Sequence, residues 1–343
     1  MLEGYPELKK LLWPLRMVWH SILWLRNNPR RTNRLLFGYD AKRFLRESGA
    51  YVADRKESLL AWLTMQSHVL EKGLTMPNRR LGFGRLVVLD LIRRVNEYVL
   101  LYGDTDERLR NAVSVVREYF EVHQVAGFEM ESEASYWIQV KQFADKFKYI
   151  LPSRQLHFTV ESFLSEIGAS FPSFSASRHT VRNYADRELP IDRLRQAMKL
   201  AMRAPSACNR QHCRVYCLKD RSQFSRILDL QAGNRGFGHL ANKVLVVTAD
   251  LRDCLLNVER SDAFINGGMF LMNLCYALHY NRVGHCILNW SKNPQTDQEA
   301  HAILGIPANE VIIALLTCGE LPDEFDVASS PRRGVQDVFK VID

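Results

Sequence analysis

Residues 178–184 read RHTVRNY and residues 204–211 read APSACNRQ, and these two stretches decide what the C-terminal half of the chain can be. The first stretch places two guanidinium groups and a hydroxyl within five residues. Arginine binds phosphate oxygens through a bidentate fork, and a hydroxyl adds a neutral donor. The stretch is therefore a candidate phosphate-binding loop, with a solvated basic loop as the alternative.

The second stretch combines small residues with side chains that form directional hydrogen bonds. Small side chains let the backbone approach a flat ring closely. Ser206, Asn209 and Gln211 supply donors and acceptors that can reach the heteroatoms of such a ring. The alternative is an ordinary polar loop between a helix and a strand.

Together these stretches resemble the FMN-dependent nitroreductase family. That family opens with Arg-x-Ser-x-Arg-x-Phe/Tyr, matched here by Arg178, Thr180, Arg182 and Tyr184. Its next motif, Ala-Pro-Ser-x-x-Asn-x-Gln-Pro-Trp, is matched by Ala204, Pro205, Ser206, Asn209 and Gln211, with His212 and Cys213 in place of Pro-Trp. Further family-like segments follow in order at 241–247, 262–284, 304–307 and 311–319, with a closing Arg333. The resemblance covers about half of the chain.

The resemblance implies an α+β fold, in which a central, mainly antiparallel sheet is flanked by helices, and an obligate homodimer with FMN at the subunit interface. It implies a set of residues around the FMN phosphate: Arg178, Thr180, Arg182 and Arg333, with His179 in the same turn. It also implies a set of residues near the flavin ring, the first three reaching the flavin of the partner subunit: Pro205, Ser206, Asn209, Asn234, Leu288, Asn289 and Trp290.

The chemistry that the resemblance implies belongs mostly to the cofactor. NADH or NADPH gives hydride to flavin N5 and leaves, and a small-molecule acceptor then enters the same slot. No dedicated acid–base residue and no metal are expected. The sequence has no Gly-x-Gly-x-x-Gly loop, which agrees with a nicotinamide that binds only transiently. His212 and His239 could shape a polar substrate pocket, although most histidines are simply surface residues.

Helices and strands alternate after residue 177. Apolar periodicity predicts helices at 192–203, 221–230 and 262–280. Runs of β-branched and apolar residues predict strands at 214–218, 244–248, 285–288 and 311–318. The C-terminal tail, residues 335–342, also has strand-like residues, and it could extend over the surface of a partner subunit. We therefore assign residues 178–343 to the FMN-binding domain.

Residues 1–150 are predicted to be a mostly helical region of unknown role. Helical stretches are expected near 11–25, 40–48, 56–72, 85–102, 106–123 and 131–148, and strand-like alternation is scarce. Residues 151–177 are rich in serine and contain two prolines, so they are predicted to form a connector with a short helix near 158–167.

One motif of the N-terminal half has more than one interpretation. His68 and Glu71 share a helix face, so a metal pair is conceivable, but two ligands are too few for a site. A helix that ends at Gly73, followed by an ordered loop, is favoured. The motif and the GFG at 82–84 resemble an extension of nitroreductase-like proteins encoded near bacterial surface-polysaccharide genes. That resemblance implies a sugar or lipid-linked sugar pathway.

The net charge of +8 is concentrated at the N-terminus. Residues 1–50 hold ten Lys and Arg against four Asp and Glu. A basic helix at 11–25 with three tryptophans could lie on an anionic membrane, but packing on the reductase core is favoured. Nucleic-acid binding has only charge in its favour, because no recognition motif is present.

The composition indicates the structural class of the protein and its cellular compartment. Hydrophobic residues make up 47% and charged residues 24%, which is typical of globular proteins. The apolar segment 17–25 is too short to span a bilayer, and no signal peptide is evident. The seven cysteines form no Cys-x-x-Cys pair, so a reducing cytoplasm is favoured over a disulfide framework or a zinc site.

Two alternatives to an NAD(P)H-dependent reductase stay open at this point. The flavin chemistry could run the other way, as oxidation or flavin breakdown. The chain could instead be a flavin-binding or flavin-free assembly protein, whose N-terminal half docks a membrane-associated partner. A yellow purified protein would exclude a flavin-free protein, and bleaching by NAD(P)H would identify the reductase.

Overall fold

The computed structural model describes residues 29–48, 56–128 and 134–342. The predicted helix at 11–25, and with it the predicted membrane contact, lies outside the described residues. Among the described residues, no helix has both the length and the apolar character needed to cross a membrane.

The N-terminal half is helical, as predicted. The described helices are α1 (Pro29–Glu47), α2 (Lys56–Leu74), α3 (Arg85–Tyr102), α4 (Glu107–Val125) and α5 (Ala134–Lys146). They form because apolar residues recur at helical spacing and meet in one core, as Leu60, Leu63 and Leu70 of α2 do against Leu91 and Val95 of α3. This core is separate from the two that cover the sheet.

Gly73 has a different role from the one predicted. The helix does not end there, because α2 continues to Leu74. A Cβ on Gly73 would overlap the ring of Phe83. The glycine therefore lets the Phe83 ring pack directly on the last turn of α2, which closes the loop between α2 and α3.

The segment predicted as a connector contains regular structure. It comprises strand β1 (Leu156–Thr159), helix α6 (Val160–Leu164), which corresponds to the predicted short helix, and helix α7 (Phe171–Ser177). Strand β1 pairs antiparallel with β6 (Glu324–Val327), with Leu156 opposite Val327. The segment is therefore hydrogen-bonded to the C-terminal part of the chain.

The main sheet has four strands, all antiparallel, in the order β2-β3-β5-β4. The strands are β2 (Cys213–Leu218), β3 (Lys243–Asp250), β4 (Gly284–Asn289) and β5 (Glu310–Gly319). Every residue of β3 is buried, as expected for a central strand covered on both faces. The predicted α+β architecture is confirmed.

Helices cover both faces of this sheet. Helices α8 (Ile191–Ala201) and α10 (Asp262–Tyr280) pack on the face that carries Leu245 and Val247. Helices α9 (Arg221–Gln231) and α11 (Pro294–Leu304) pack on the opposite face, which carries Val244 and Val246. This alternation along β3 is the period of two that a pleated strand imposes.

The prediction of a strand-like tail is wrong. Residues Val335–Val338 form a short helix, α12, in which the Phe339 N–H donates to the Val335 carbonyl at 2.8 Å. A strand needs a neighbouring strand to accept its hydrogen bonds, whereas a helical turn satisfies them locally. The side chains of Val335 and Val338 are exposed.

Candidate cofactor site

A cavity of about 650 Å³ lies where α7, α10 and the segment 328–332 meet. We call it the arginine pocket, because the side chains that line it include three guanidinium groups, two imidazoles and no carboxylate. The charged and hydroxyl-bearing residues used below are Arg178, His179, Thr180, Arg182, Arg332 and His68. The four residues from 178 to 182 were predicted to meet at one site, and they do lie together.

The local backbone explains why this loop presents alternate residues to the pocket. The segment leaves α7 in an extended conformation at Arg178. The Val181 N–H donates to the His285 carbonyl at 3.0 Å, and the Tyr184 hydroxyl donates to the Val181 carbonyl at 2.9 Å. Val181 and Tyr184 are buried. Successive side chains of an extended chain point to opposite sides, so Thr180 and Arg182 are available to the pocket when Val181 is anchored in the core.

Arg182 is a buried cation without a carboxylate partner. Its residue is 8% exposed, and among the described residues no carboxylate forms an ion pair with it. Its Nη2 lies 3.4 Å from Nε2 of His68, its Nε has no hydrogen-bond partner, and its guanidinium carbon lies 6.0 Å from the centre of the Phe237 ring. A buried unpaired charge is costly, so the geometry favours an anionic ligand here.

The pKa values of two histidines and a lysine near the pocket are lowered, first by burial and then by neighbouring positive charges. Burial lowers the pKa of His179, and the Arg178 and Arg332 guanidinium groups lower it further. Burial lowers the pKa of His279 to about 3, with contributions from His285, Arg178 and His179. The pKa of Lys72 is lowered by burial and then by Arg182. A bound anion would oppose the electrostatic part of these shifts.

The C-terminal arginine in the pocket is Arg332, one residue before the predicted Arg333. Arg332 lines the arginine pocket, and its Nη1 donates to the Ser330 carbonyl at 2.6 Å. Arg333 lines a different cavity together with Arg108 and Arg110. Ser330 has a φ of 44°, so the chain turns sharply just before these two residues. Sequence spacing alone could not resolve which arginine faces the pocket.

A second cavity, of about 550 Å³, lies beside the loop 204–211. We call it the loop cavity. Pro205 and Ser206 line it, and the Ser206 Oγ accepts from the Gln211 N–H at 3.0 Å. Three residues of the loop are in the left-handed region, with φ values of 51°, 55° and 54°, namely Cys208, Asn209 and Gln211. Such strain in residues other than glycine often accompanies functional loops.

Arg210 holds this loop in place. Its guanidinium lies 2.8 Å from a carboxylate oxygen of Glu259 and 3.2 Å from one of Asp262. It also donates to the Asp253 carbonyl at 2.6 Å. The hydrogen bond from Arg210 lowers the pKa of Glu259 to about 2. Arg210 therefore already has carboxylate and carbonyl partners within the protein, which stabilise the loop.

His212 and His239 lie in different surroundings. His212 is fully buried, lines the loop cavity, and neither of its ring nitrogens has a hydrogen-bond partner. Its Nδ1 lies 3.8 Å from an oxygen of Asp253. His239 lines another cavity, which it shares with Asn234. Of the two, only His212 lies beside Pro205 and Ser206.

The other predicted flavin-ring residues do not reach the arginine pocket within one chain. The Asn234 amide donates to the Leu228 carbonyl at 2.5 Å, so it stabilises its own loop. Leu288 is buried in the core. Asn289 is exposed, and the Trp290 Nε1 donates to Asp297 at 2.7 Å. The predicted site residues thus divide among the arginine pocket, the loop cavity and the end of β4.

Three residues of the pocket region were missed from the sequence as site residues: His68, Lys72 and Arg332. The signal for the first two is present in the sequence, because His68 and Lys72 belong to the motif at 68–74, but from the sequence that motif indicates only a metal pair or the end of a helix. Among the described residues, no group of three or more His, Cys, Asp or Glu could hold a metal ion.

Comparisons with known proteins agree with the sequence motifs. The model of the Nitroreductase family matches residues 176–235. A protein of Archaeoglobus fulgidus named "Putative NADH dehydrogenase/NAD(P)H nitroreductase" is 25% identical over 161 residues, which are 46% of this chain and 88% of that protein.

Solved structures give the same type of match. A BluB-like flavoprotein from Clostridium difficile 630 is 17% identical, with a TM-score of 0.43 over 51% of this chain and all of that one (100%). An FMN-dependent nitroreductase from Clostridium difficile R20291 is 16% identical, with a TM-score of 0.40 over 48% of this chain and 92% of that one. The family match to residues 176–235 and the Archaeoglobus relative agree with the predicted resemblance: the C-terminal half of the chain is similar to the nitroreductase family, and both matches support an oxidoreductase of that type.

Proposed function

We propose that the chain is an FMN-dependent oxidoreductase that passes hydride from NADH or NADPH to a small-molecule acceptor. The observation that carries this proposal is the buried Arg182 guanidinium, which has no carboxylate partner in a pocket that also holds Arg178, Thr180 and Arg332. An FMN phosphate offers three acceptor oxygens and a charge between about −1.5 and −2, as phosphate monoesters do. Guanidinium forks and a hydroxyl are suited to such a group.

The residues present fit the phosphate end of FMN. Arg178, Arg182 and Arg332 would neutralise its charge, and the Thr180 hydroxyl would donate a further hydrogen bond. His179 lies beside them, where burial favours its neutral form. When bound, FMN supplies hydride transfer at its N5 atom, and the protein binds and orients it. The phosphate-binding role that the sequence resemblance gave to Arg333 is assigned to Arg332 in this proposal.

We further propose that the flavin ring lies between two copies of the chain. The loop cavity and the arginine pocket are separate in one chain, yet α10 lines both, through Phe270 in the first and Met272 in the second. Other apolar side chains of α10 are exposed, including Phe264 at 56% and Ile265 at 58%. A homodimer that buries this face would bring one loop cavity towards the arginine pocket of the partner.

In that homodimer, Pro205, Ser206 and Asn209 would contact the flavin held by the partner subunit. Asn234, Leu288, Asn289 and Trp290 are proposed as further ring neighbours on the strength of the family resemblance. His212, buried and unpartnered beside Pro205 and Ser206, would lie close to the acceptor.

The proposal also includes the cellular compartment of the protein and the pathway from which its acceptor comes. All seven cysteines are free, and Cys275, Cys286 and Cys318 are buried thiols. Free thiols in this number favour a reducing compartment, so we propose the cytoplasm. The proposal of an acceptor from a surface-polysaccharide pathway depends on the sequence resemblance of residues 68–84 alone.

Purification of the full chain tests the proposed function. We expect a yellow protein that releases FMN on denaturation, identified by mass, and whose absorbance near the flavin maximum bleaches anaerobically with NADH or NADPH. A colourless protein that takes up no added FMN would overturn the proposal. A yellow protein that neither nucleotide bleaches would instead favour flavin binding without reductase activity.

A further inference from the structure

We infer that the N-terminal helical half forms part of the cofactor site, with His68 acting as a positioning residue for Arg182. This inference rests on the proposed function, because it assigns a role at the same phosphate site. It extends the site beyond the segment that matches the nitroreductase family, which begins at residue 176. It also gives the helix that carries His68 a role in flavin binding.

The geometry is a chain of three side chains that crosses from one half of the protein to the other. His68 on α2 lines the arginine pocket, with its Nε2 3.4 Å from Nη2 of Arg182. Its Nδ1 lies 3.6 Å from a carboxylate oxygen of Glu71. Glu71 is 3% exposed, and its other oxygen has no hydrogen-bond partner. His68 therefore stands between a buried guanidinium and a buried carboxylate.

This arrangement fixes a side chain that would otherwise have many conformations. A free arginine side chain loses much of its rotamer entropy when it is ordered. An imidazole that accepts a hydrogen bond from Nη2 selects one orientation of the Arg182 fork before the ligand arrives. Since ordering a side chain in advance reduces the cost of binding, the contact should increase affinity for the phosphate without touching it.

The end of α2 and the residues that follow it also contact the loop that contains Gly233 and Gly236. Lys72 Nζ donates to the Gly233 carbonyl at 3.2 Å, and the Met76 sulfur lies 3.2 Å from where a Cβ on Gly236 would be. The loop that contains these glycines carries the buried Phe237, whose ring faces the Arg182 guanidinium. Helix α2 thus supports both the imidazole and the aromatic neighbour of Arg182.

Three substitutions of His68 test the inference in the full chain. In His68→Gln, an amide can occupy the position of Nε2 and accept from Arg182, whereas in His68→Asn the shorter amide reaches only the position of Nδ1. His68→Ala removes both groups. The matched control is Val69→Ala, because Val69 is partly exposed on the same helix and does not line the arginine pocket.

The measurement is the affinity of flavin-free protein for FMN and for riboflavin, which lacks the phosphate. We expect His68→Ala and His68→Asn to bind FMN about tenfold more weakly, the size of one lost hydrogen bond to a charged group. His68→Gln and Val69→Ala should stay close to wild type, and riboflavin affinity should hardly change in any variant.

The outcomes separate this inference from the function on which it rests. If the wild-type chain prefers FMN to riboflavin but His68→Ala binds FMN normally, His68 does not position Arg182, and the proposed function stands. If His68→Gln is as weak as His68→Ala, or if both flavins weaken equally, His68 acts through general packing and the inference is wrong. If the wild-type chain binds no flavin, the proposed function itself fails.

Discussion

Arg182 and Arg210 are two arginines of the C-terminal half that are largely shielded from solvent, and they differ in whether they have carboxylate partners. Arg210 has carboxylates of Glu259 and Asp262 within 3.2 Å and holds the loop 204–211 against the start of α10. Arg182 has no carboxylate partner among the described residues; its Nη2 lies 3.4 Å from Nε2 of His68, and the Cys286 thiol is also close to its guanidinium. The difference shows that residue type alone does not identify a binding arginine. In the proposed function, burial without an acidic partner is the feature that marks Arg182 as the arginine that binds the phosphate.

The largest expected effect comes from removing the unpaired cation. Arg182→Met should weaken FMN binding by roughly 2–3 kcal/mol, or about 30- to 150-fold, because charge-assisted hydrogen bonds to the phosphate are lost. The flavin-free protein should unfold at the same temperature or higher, since a buried unpaired charge has been replaced by an apolar side chain. Calorimetric titration and thermal unfolding measure the two quantities.

The control for this variant is Arg221→Met, which removes an exposed arginine that pairs with Asp186. It should leave FMN affinity unchanged. The contrary result would be a large loss of thermal stability in Arg182→Met, with FMN affinity preserved in the folded fraction. It would show that Arg182 stabilises the fold, as Arg210 does, and does not bind FMN.

The next effect is the pH dependence of stability. Burial lowers the pKa of His279 to about 3 and that of His285 to about 4, and the Arg178 guanidinium contributes to both shifts. Below about pH 6.5 the unfolded chain binds protons that the folded chain does not, so stability is lost as the pH falls from 6.5 towards 4. We expect a loss on the order of 2 kcal/mol over the first pH unit below 6.5, roughly 1 kcal/mol from each histidine, and a further loss as the pH falls towards 4.

Denaturant unfolding at several pH values measures this loss. His279→Gln should flatten the profile, because the variant has one fewer buried histidine to charge. His157→Gln is the control, since His157 is exposed on β1 and pairs with Asp326. A profile that is flat between pH 6.5 and 4 in the wild-type chain would argue against burial of neutral histidines beside the pocket.

A smaller effect is expected at the paired arginine. Arg210→Met should lower the unfolding temperature of the flavin-free protein by about 2 °C or more, because Glu259 and Asp262 lose their partner. This is the reverse of the result expected for Arg182→Met. Differential scanning calorimetry of the two variants side by side sharpens the comparison. Equal unfolding temperatures in the two variants would contradict it.

The smallest effect concerns the strained loop. Cys208 has a φ of 51°, which a glycine adopts without steric cost. Cys208→Gly should therefore stabilise the protein by about 0.5 kcal/mol in denaturant unfolding, after the larger entropy of glycine in the unfolded chain is subtracted. We expect slower hydride transfer from NADH as the loop loosens.

Ala232→Gly provides the matched control, because Ala232 has a φ of 63° at the end of α9 and does not line the loop cavity. It should gain similar stability without loss of rate. If both variants keep the wild-type rate, the strain at Cys208 has no functional role.

Local features of the fold could be predicted from the sequence, whereas contacts between distant segments could not. Helix α3 was predicted at its observed bounds, because apolar spacing is a local signal. Strand β1 was missed, since it has four residues and its partner β6 lies near the other end of the chain. A strand that short is defined by its pairing rather than by its own residues.

The candidate site shows the same division. Arg178, Thr180 and Arg182 could be grouped from the sequence, because they lie within five residues of one another and match one family motif. The contribution of Arg332 depends on the turn at Ser330, and that of His68 depends on how the two halves of the chain pack. Neither of these is encoded in the spacing of residues within a single motif.

In the proposed function, the arginine pocket binds the phosphate of FMN. The most direct test is calorimetric titration of the flavin-free full chain with FMN and with riboflavin, at low and at high salt. We expect the affinity for FMN to be at least about a hundredfold higher than that for riboflavin, because of several charge-assisted hydrogen bonds, and we expect this difference to decrease as salt screens the charges. Equal affinity for the two flavins at low salt would contradict it.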